Sequence, residues 1–118
     1  MEKIKVGVVG TGFIGPAHVE ALRRLPNIEV AALCEVNMEL ATAKAAQLGI
    51  ERACTFDQLL AMENITSVHI CTPNFLHFSQ AKAALLAGKH VICEKPLSKD
   101  LHEAEELVAL AQSTGLVN

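Results

Sequence analysis

Val6-Gly7-Val8-Val9-Gly10-Thr11-Gly12-Phe13-Ile14-Gly15 is the stretch on which the fold turns. Its first half, with Lys3-Ile4-Lys5 ahead of it, reads as a strand whose far end is covered on both faces. Its second half is G-x-G-x-x-G, and Pro16 directly after it suits an early helical position. Strand, glycine turn and helix in that order give an otherwise common pattern its meaning. Gly10 allows a tight turn, Gly12 lets the backbone approach a pyrophosphate, and Gly15 lets the helix sit close to the strand. The helix start then offers unpaired N–H groups and a partial positive charge to phosphate, with Thr11, Phe13 and Ile14 filling the turn. Glu35, twenty residues past Gly15, is placed to accept from ribose hydroxyls and to repel a 2′-phosphate. No arginine follows in Val36-Asn37-Met38-Glu39, so the expected cofactor is NAD rather than NADP. FAD and S-adenosylmethionine proteins share parts of this pattern.

Outward from the turn, the same alternation repeats. Val19, Leu22 and Leu25 form a helical stripe before Pro26-Asn27, and Ile28 to Cys34 is a second strand. Asn37 caps a helix over Met38 to Leu48, which Gly49 closes. Arg52-Ala53-Cys54 is a weak third strand, and Thr55 with Gln58 forms a capping box for a short helix through Leu59, Leu60 and Met62. Ser67 to Cys71, the helix Leu76 to Ala87 and His90 to Cys93 follow. Asp100 and Glu103 then open a helix with a stripe of Leu101, Ala104, Leu107, Val108 and Ala111. Leu116-Val117 resembles a strand that has only begun. Such a sequence of units predicts an α/β fold: a doubly wound parallel sheet of five to six strands with helices on both faces, in one domain spanning 1–118. Ligands of such sheets bind beyond the carboxyl ends of the strands.

Composition excludes several classes. Hydrophobic residues make up 51% of the 118, which is incompatible with a disordered chain. A net charge of −3, no basic block, four Phe and no Trp or Tyr argue against a nucleic-acid surface. No apolar run approaches the ~20 residues of a membrane span, and the amino-terminal stretch has no convincing cleavage site. Cys34, Cys54, Cys71 and Cys93 contain no C-x-x-C pair, so they read as small buried hydrophobes in a reducing cytoplasm rather than as a metal cluster, and no metal is expected.

Two further strand ends carry chemistry-bearing residues: Cys71-Thr72-Pro73-Asn74 with His77, and Glu94-Lys95-Pro96. With G-T-G-F-I-G, His18 and Glu35, they resemble, in order and spacing across the entire chain, the glucose–fructose oxidoreductase, inositol dehydrogenase and MocA-like family. These are NAD(P)-dependent oxidoreductases with an amino-terminal Rossmann domain. The resemblance implies that Cys71, Thr72, Pro73 and Asn74 line the cofactor's path, with His77 supporting that loop, and that Glu94 lies near the nicotinamide ribose. It implies that Lys95 contacts substrate hydroxyls and assists proton transfer, where positive charge favours a developing alkoxide. Pro96 is then a candidate cis-proline aiming Lys95 into the cleft. His18 is assigned to packing beneath the glycine turn.

The family's second domain, which supplies most of the substrate site, has no counterpart in these residues. The expectation is therefore the dinucleotide domain of a longer, homo-oligomeric dehydrogenase acting on a secondary alcohol of a sugar or cyclic polyol. A stand-alone, non-catalytic NAD-binding or redox-sensing module is the alternative. Glycosidase-like chemistry through transient oxidation is a third.

Overall fold

The computed structural model describes residues 2–118; Met1, the first residue of the expected domain span, lies outside the described residues. The strands are β1 (Ile4–Val9), β2 (Ile28–Cys34), β3 (Arg52–Cys54), β4 (Ile65–Ile70) and β5 (His90–Cys93). The helices are α1 (Gly15–Arg23), α2 (Met38–Leu48), α3 (Phe56–Ala61), α4 (His77–Leu86) and α5 (Leu101–Thr114). A 3₁₀ turn over Asn74–Leu76 leads into α4. All strand pairings are parallel, in the order β3-β2-β1-β4-β5. The order reverses between β1 and β4, as a doubly wound sheet requires.

Pleating sends alternate side chains to two cores. Val6 and Val8 join Leu33 with Val19 and Leu22 of α1 and Ala41 and Ala45 of α2. On the opposite face Val9, Ile65, Val68 and Ile70 pack with Leu59 of α3, Ala81, Ala84 and Leu85 of α4, and Leu107 and Ala111 of α5. Aliphatic side chains and alanine therefore supply almost all the buried volume, and the small alanines let helices lie close on the sheet.

The caps form as expected. Asn37 Oδ1 accepts the Leu40 N–H at 2.8 Å. Thr55 and Gln58 make both bonds of a capping box. Asp100 Oδ1 accepts from Glu103 N–H at 2.8 Å, but the Glu103 carboxylate takes the Lys99 N–H instead of closing the box. Three details differ from expectation. Leu25 lies past the end of α1 and is exposed, and Leu101 and Val108 are exposed on α5, whose buried line is Leu107 and Ala111. Residues 116–118 are not assigned as a strand, although Val91 N–H donates to Val117 O at 3.1 Å. Lys89, next to the turn before β5, is buried and donates from Nζ to the carbonyls of Met62 and Ile65, each at 2.6 Å.

Candidate functional site

A cleft of about 1030 Å³ opens at the carboxyl ends of the strands, where β1 and β4 lead to helices on opposite faces. The glycine turn forms its floor. Gly10 has φ +89°, and a Cβ there would lie 2.9 Å from the Cys71 carbonyl and the Thr72 nitrogen, so only glycine fits between the ends of β1 and β4. A Cβ on Gly15 would collide with the Gly10 carbonyl oxygen. Gly12 is different: it lines the cleft, and a Cβ there meets no protein atom within 4 Å. No protein atom stands where that side chain would be, so the backbone of Gly12 lies open to the cleft. Behind it, Ile14 caps α1 without a side-chain oxygen, and the first turn holds Pro16 and no acid. That donor-rich, acid-free helix start fits a pyrophosphate.

Glu35 lies one residue past β2 and is drawn back to the turn. Its Oε1 accepts from Thr11 N–H at 2.5 Å and Thr11 Oγ1–H at 2.7 Å, while Oε2 accepts from Val36 N–H at 3.0 Å. Burial pushes this carboxyl up, but the Thr11 hydroxyl, the two backbone N–H groups and the Lys44 charge outweigh it and hold Glu35 below its ordinary value. It is an anion anchored to the cleft wall.

The other two strand ends are tied together by His77, which is fully buried. Its Nδ1 lies 2.6 Å from Pro96 O and its Nε2 lies 2.8 Å from Thr72 O. A ring with one proton donates to one of these carbonyls; the imidazolium donates to both. Thr72 Oγ1–H donates to Gln80 Oε1 at 2.5 Å, one turn into α4. The Lys95–Pro96 peptide is cis, and Lys95 is exposed to the cleft. Gly10, Gly12, Phe13, Ile14, Glu35, Cys71, Thr72, Pro73, Asn74, His77, Glu94 and Lys95 all line the cleft. Thr11, Gly15 and Pro96 do not; they support residues that do.

His18, expected only to pack beneath the turn, makes polar contacts instead. Its Nε2–H donates to Glu94 Oε2 at 2.8 Å, and its Nδ1 lies 2.9 Å from Nδ1 of His69 in β4, the two rings meeting edge to face. His69 was not singled out by any motif. Burial, with the His18 ring as the smaller cause, pushes His69 down to about 4. The bond from His18 and then the Lys95 N–H, helped by the smaller effects of the His18 and Lys95 charges, hold the Glu94 carboxyl below its ordinary value against desolvation. Sequence reading also missed Gln80 and the apolar wall of Val36, Met38 and Phe75, each carried on an element whose order alone gives no orientation.

The thiols are quiet. Burial, reinforced by neighbouring groups, pushes Cys34 and Cys71 up to about 12, and Cys93 to about 11. Among the described residues no group of three or more His, Cys, Asp or Glu is arranged to hold a metal ion.

A reversed strand order, a glycine turn at the reversal and an anchored acid at the end of β2 define a Rossmann-type dinucleotide domain. Residues 4–118 match the oxidoreductase family with an NAD-binding Rossmann fold that takes in glucose–fructose oxidoreductase, inositol dehydrogenase and MocA, and the chain belongs to that family. It is 34% identical over 127 residues to levoglucosan dehydrogenase of Pseudarthrobacter phenanthrenivorans, covering 100% of this chain and 33% of that protein. The structure of a levoglucosan dehydrogenase in complex with NADH and levoglucosan superposes with a TM-score of 0.94 at 33% identity, over 98% of this chain and 34% of that one. A 3-ketoreductase from Actinomadura kijaniata, solved with NADP, gives 0.89 at 34% identity over 98% and 37%. This chain thus spans about a third of the length of the relatives it matches.

Proposed function

We propose that this chain is the NAD-binding domain of an oxidoreductase that moves a hydride between nicotinamide and a secondary alcohol of a sugar or cyclic polyol. The observation that carries this reading is the convergence on one cleft of the Gly10–Gly15 turn, Glu35 and Lys95. Gly12 and the start of α1 take the pyrophosphate. Glu35 takes the adenosine ribose through Oε2, the oxygen with one donor rather than two. Its negative charge opposes a 2′-phosphate, so NAD is the preferred cofactor even though the fold also occurs with NADP in a relative. Thr72, Pro73 and Asn74 line the path beyond it.

When bound, the nicotinamide supplies the hydride chemistry. Lys95 contacts the substrate hydroxyl and assists transfer of its proton at Nζ, while Glu94 stands beside it near the nicotinamide ribose. The sugar assignment is supported by relatives named levoglucosan dehydrogenase and 1,5-anhydro-D-fructose reductase. The remaining substrate contacts belong to a second domain, and the longer protein acts as a homo-oligomer in the cytoplasm, where four protonated thiols stay reduced.

The test is direct titration of the chain with NADH and NADPH. With no Trp and no Tyr, the protein contributes almost nothing to the emission of the reduced nicotinamide. Saturable NADH binding, weakened by Glu35→Ala, is expected. A folded chain that shows no saturable binding overturns the proposal.

A further inference from the structure

Thr11 occupies an unspecified position of the G-x-G-x-x-G turn, yet its side chain is 1% exposed and does not line the cleft. Three bonds fasten this part of the turn to the end of β2. Gly10 N–H donates to Cys34 O at 2.9 Å, and Thr11 donates to one Glu35 oxygen from both its N–H and its hydroxyl. Any residue at this position has the backbone donor; only the hydroxyl depends on the side chain being threonine or serine.

The hydroxyl has two consequences for Glu35. It completes a pair of donors on Oε1, which leaves Oε2, with Val36 N–H alone, the oxygen with more capacity to accept from further partners. It also removes the carboxylate's freedom to swing into solvent. A surface glutamate meeting a 2′-phosphate relieves the repulsion by changing rotamer. One held by short charge-assisted bonds must first break them. No side-chain cation bonds Glu35 among the described residues; Lys44 acts on it only through its longer-range charge. The Thr11 hydroxyl is therefore, among the described residues, the one side-chain donor that adds to the two backbone N–H groups in keeping the negative charge in place.

We infer that Thr11 is a positioning residue for cofactor choice: its hydroxyl locks Glu35 where it rejects a 2′-phosphate. The inference rests on the reading of the cleft as a dinucleotide site, and the experiment separates the two. Dissociation constants for NADH and NADPH are measured on the chain carrying Thr11→Val, Thr11→Ala and Thr11→Ser. Val and Ala are expected to lower the preference for NADH over NADPH about tenfold, the worth of one hydrogen bond to a charged group, and Ser to keep it. A merely structural role would weaken both dinucleotides alike and leave their ratio unchanged. An unchanged ratio in folded Val or Ala variants overturns the inference while NADH binding by the wild type stands. Loss of folding in both, with Ser intact, also overturns it, because the hydroxyl is then a requirement of the fold. Absence of NADH binding by the wild type fails the underlying reading instead.

Discussion

His69 gives the structure a pH-dependent stability that can be measured without any ligand. The ring sits in β4 at 7% exposure, with His18 against its Nδ1 and Glu94 on the far side of His18. In the folded chain it takes a proton only near pH 4, against an ordinary value of 6.5. The unfolded chain therefore binds more protons between those values, and stability falls as the pH is lowered through this window. At about 1.4 kcal/mol per pKa unit, roughly 2 kcal/mol is lost between pH 8 and pH 5, approaching about 3 kcal/mol near pH 4. For a chain of this size 2 kcal/mol corresponds to a melting temperature lower by about 8 °C. The assay is thermal unfolding by circular dichroism at pH 8, 6 and 5, comparing the wild type with His69→Asn. Asparagine keeps a polar atom near the place of Nδ1 but cannot titrate. The wild type is expected to lose about 8 °C more than the variant over that range, whatever their difference at pH 8. Glu35 and Glu94 also destabilise on acidification, but mainly below the ordinary carboxylate value of 4.5, beneath the pH 8 to 5 range of the assay, and alike in both proteins. Parallel curves for the two proteins would refute the reasoning, as would a His69 ring found by nitrogen NMR to take its proton above pH 6.

Two glycines of one turn are expected to fail in opposite ways. Gly10→Ala meets the backbone of Cys71 and Thr72 at positive φ and should cost ~2 kcal/mol or more in urea unfolding, whereas Gly12→Ala meets no protein atom. Gly12→Ala should thus keep its unfolding midpoint and lose NADH affinity; a large loss of stability in that variant would contradict the open space seen there. Lys89→Met takes the Nζ donor from the Ile65 carbonyl and from that of Met62, which keeps the Ile65 N–H, and should cost about 1–3 kcal/mol, read as a lower urea midpoint at unchanged slope. Thr55→Ala removes the cap of α3 and should cost ~1 kcal/mol; no change would mean that the helix is held by Leu59 packing alone.

Where elements begin and end was legible because local chemistry sets it. Asn37, Thr55 and Asp100 each bond the backbone N–H three residues on, so the cap and its partner lie in one short window. The orientation of α5 was not legible. Leu101 and Val108, seven apart, form one apolar line, and Ala104, Leu107 and Ala111 form another beside it. Periodicity alone merges them into one stripe, and only packing against α4 and the sheet decides that Leu107 and Ala111 of the second line are buried and Ala104 half-buried. Lys89 was invisible for a related reason. A lysine is read as exposed, and the carbonyls that receive it lie 27 and 24 residues away.

The candidate site divides along the same line. Its glycine turn is a backbone device, and the spacing of Gly10, Gly12 and Gly15 is the device itself, so sequence suffices. What holds the side chains in place is not local. His18 reaches Glu94 across 76 residues and His69 across 51, and Thr11 reaches Glu35 across 24. Because each strand end sends its loop to the same edge of the sheet, residues from four separate motifs become each other's hydrogen-bond partners. His77 joins the loop after β4 to the cis-proline turn after β5, and His18 joins that same turn to α1. The Lys95 backbone is thus fixed from both sides of the cleft before any ligand arrives. The His18 bond ties the lysine's segment to the helix that follows the glycine turn, and the His77 bonds tie it to the loop after β4. The motifs are read separately along the chain, but their side chains are held by one another at a single edge of the sheet.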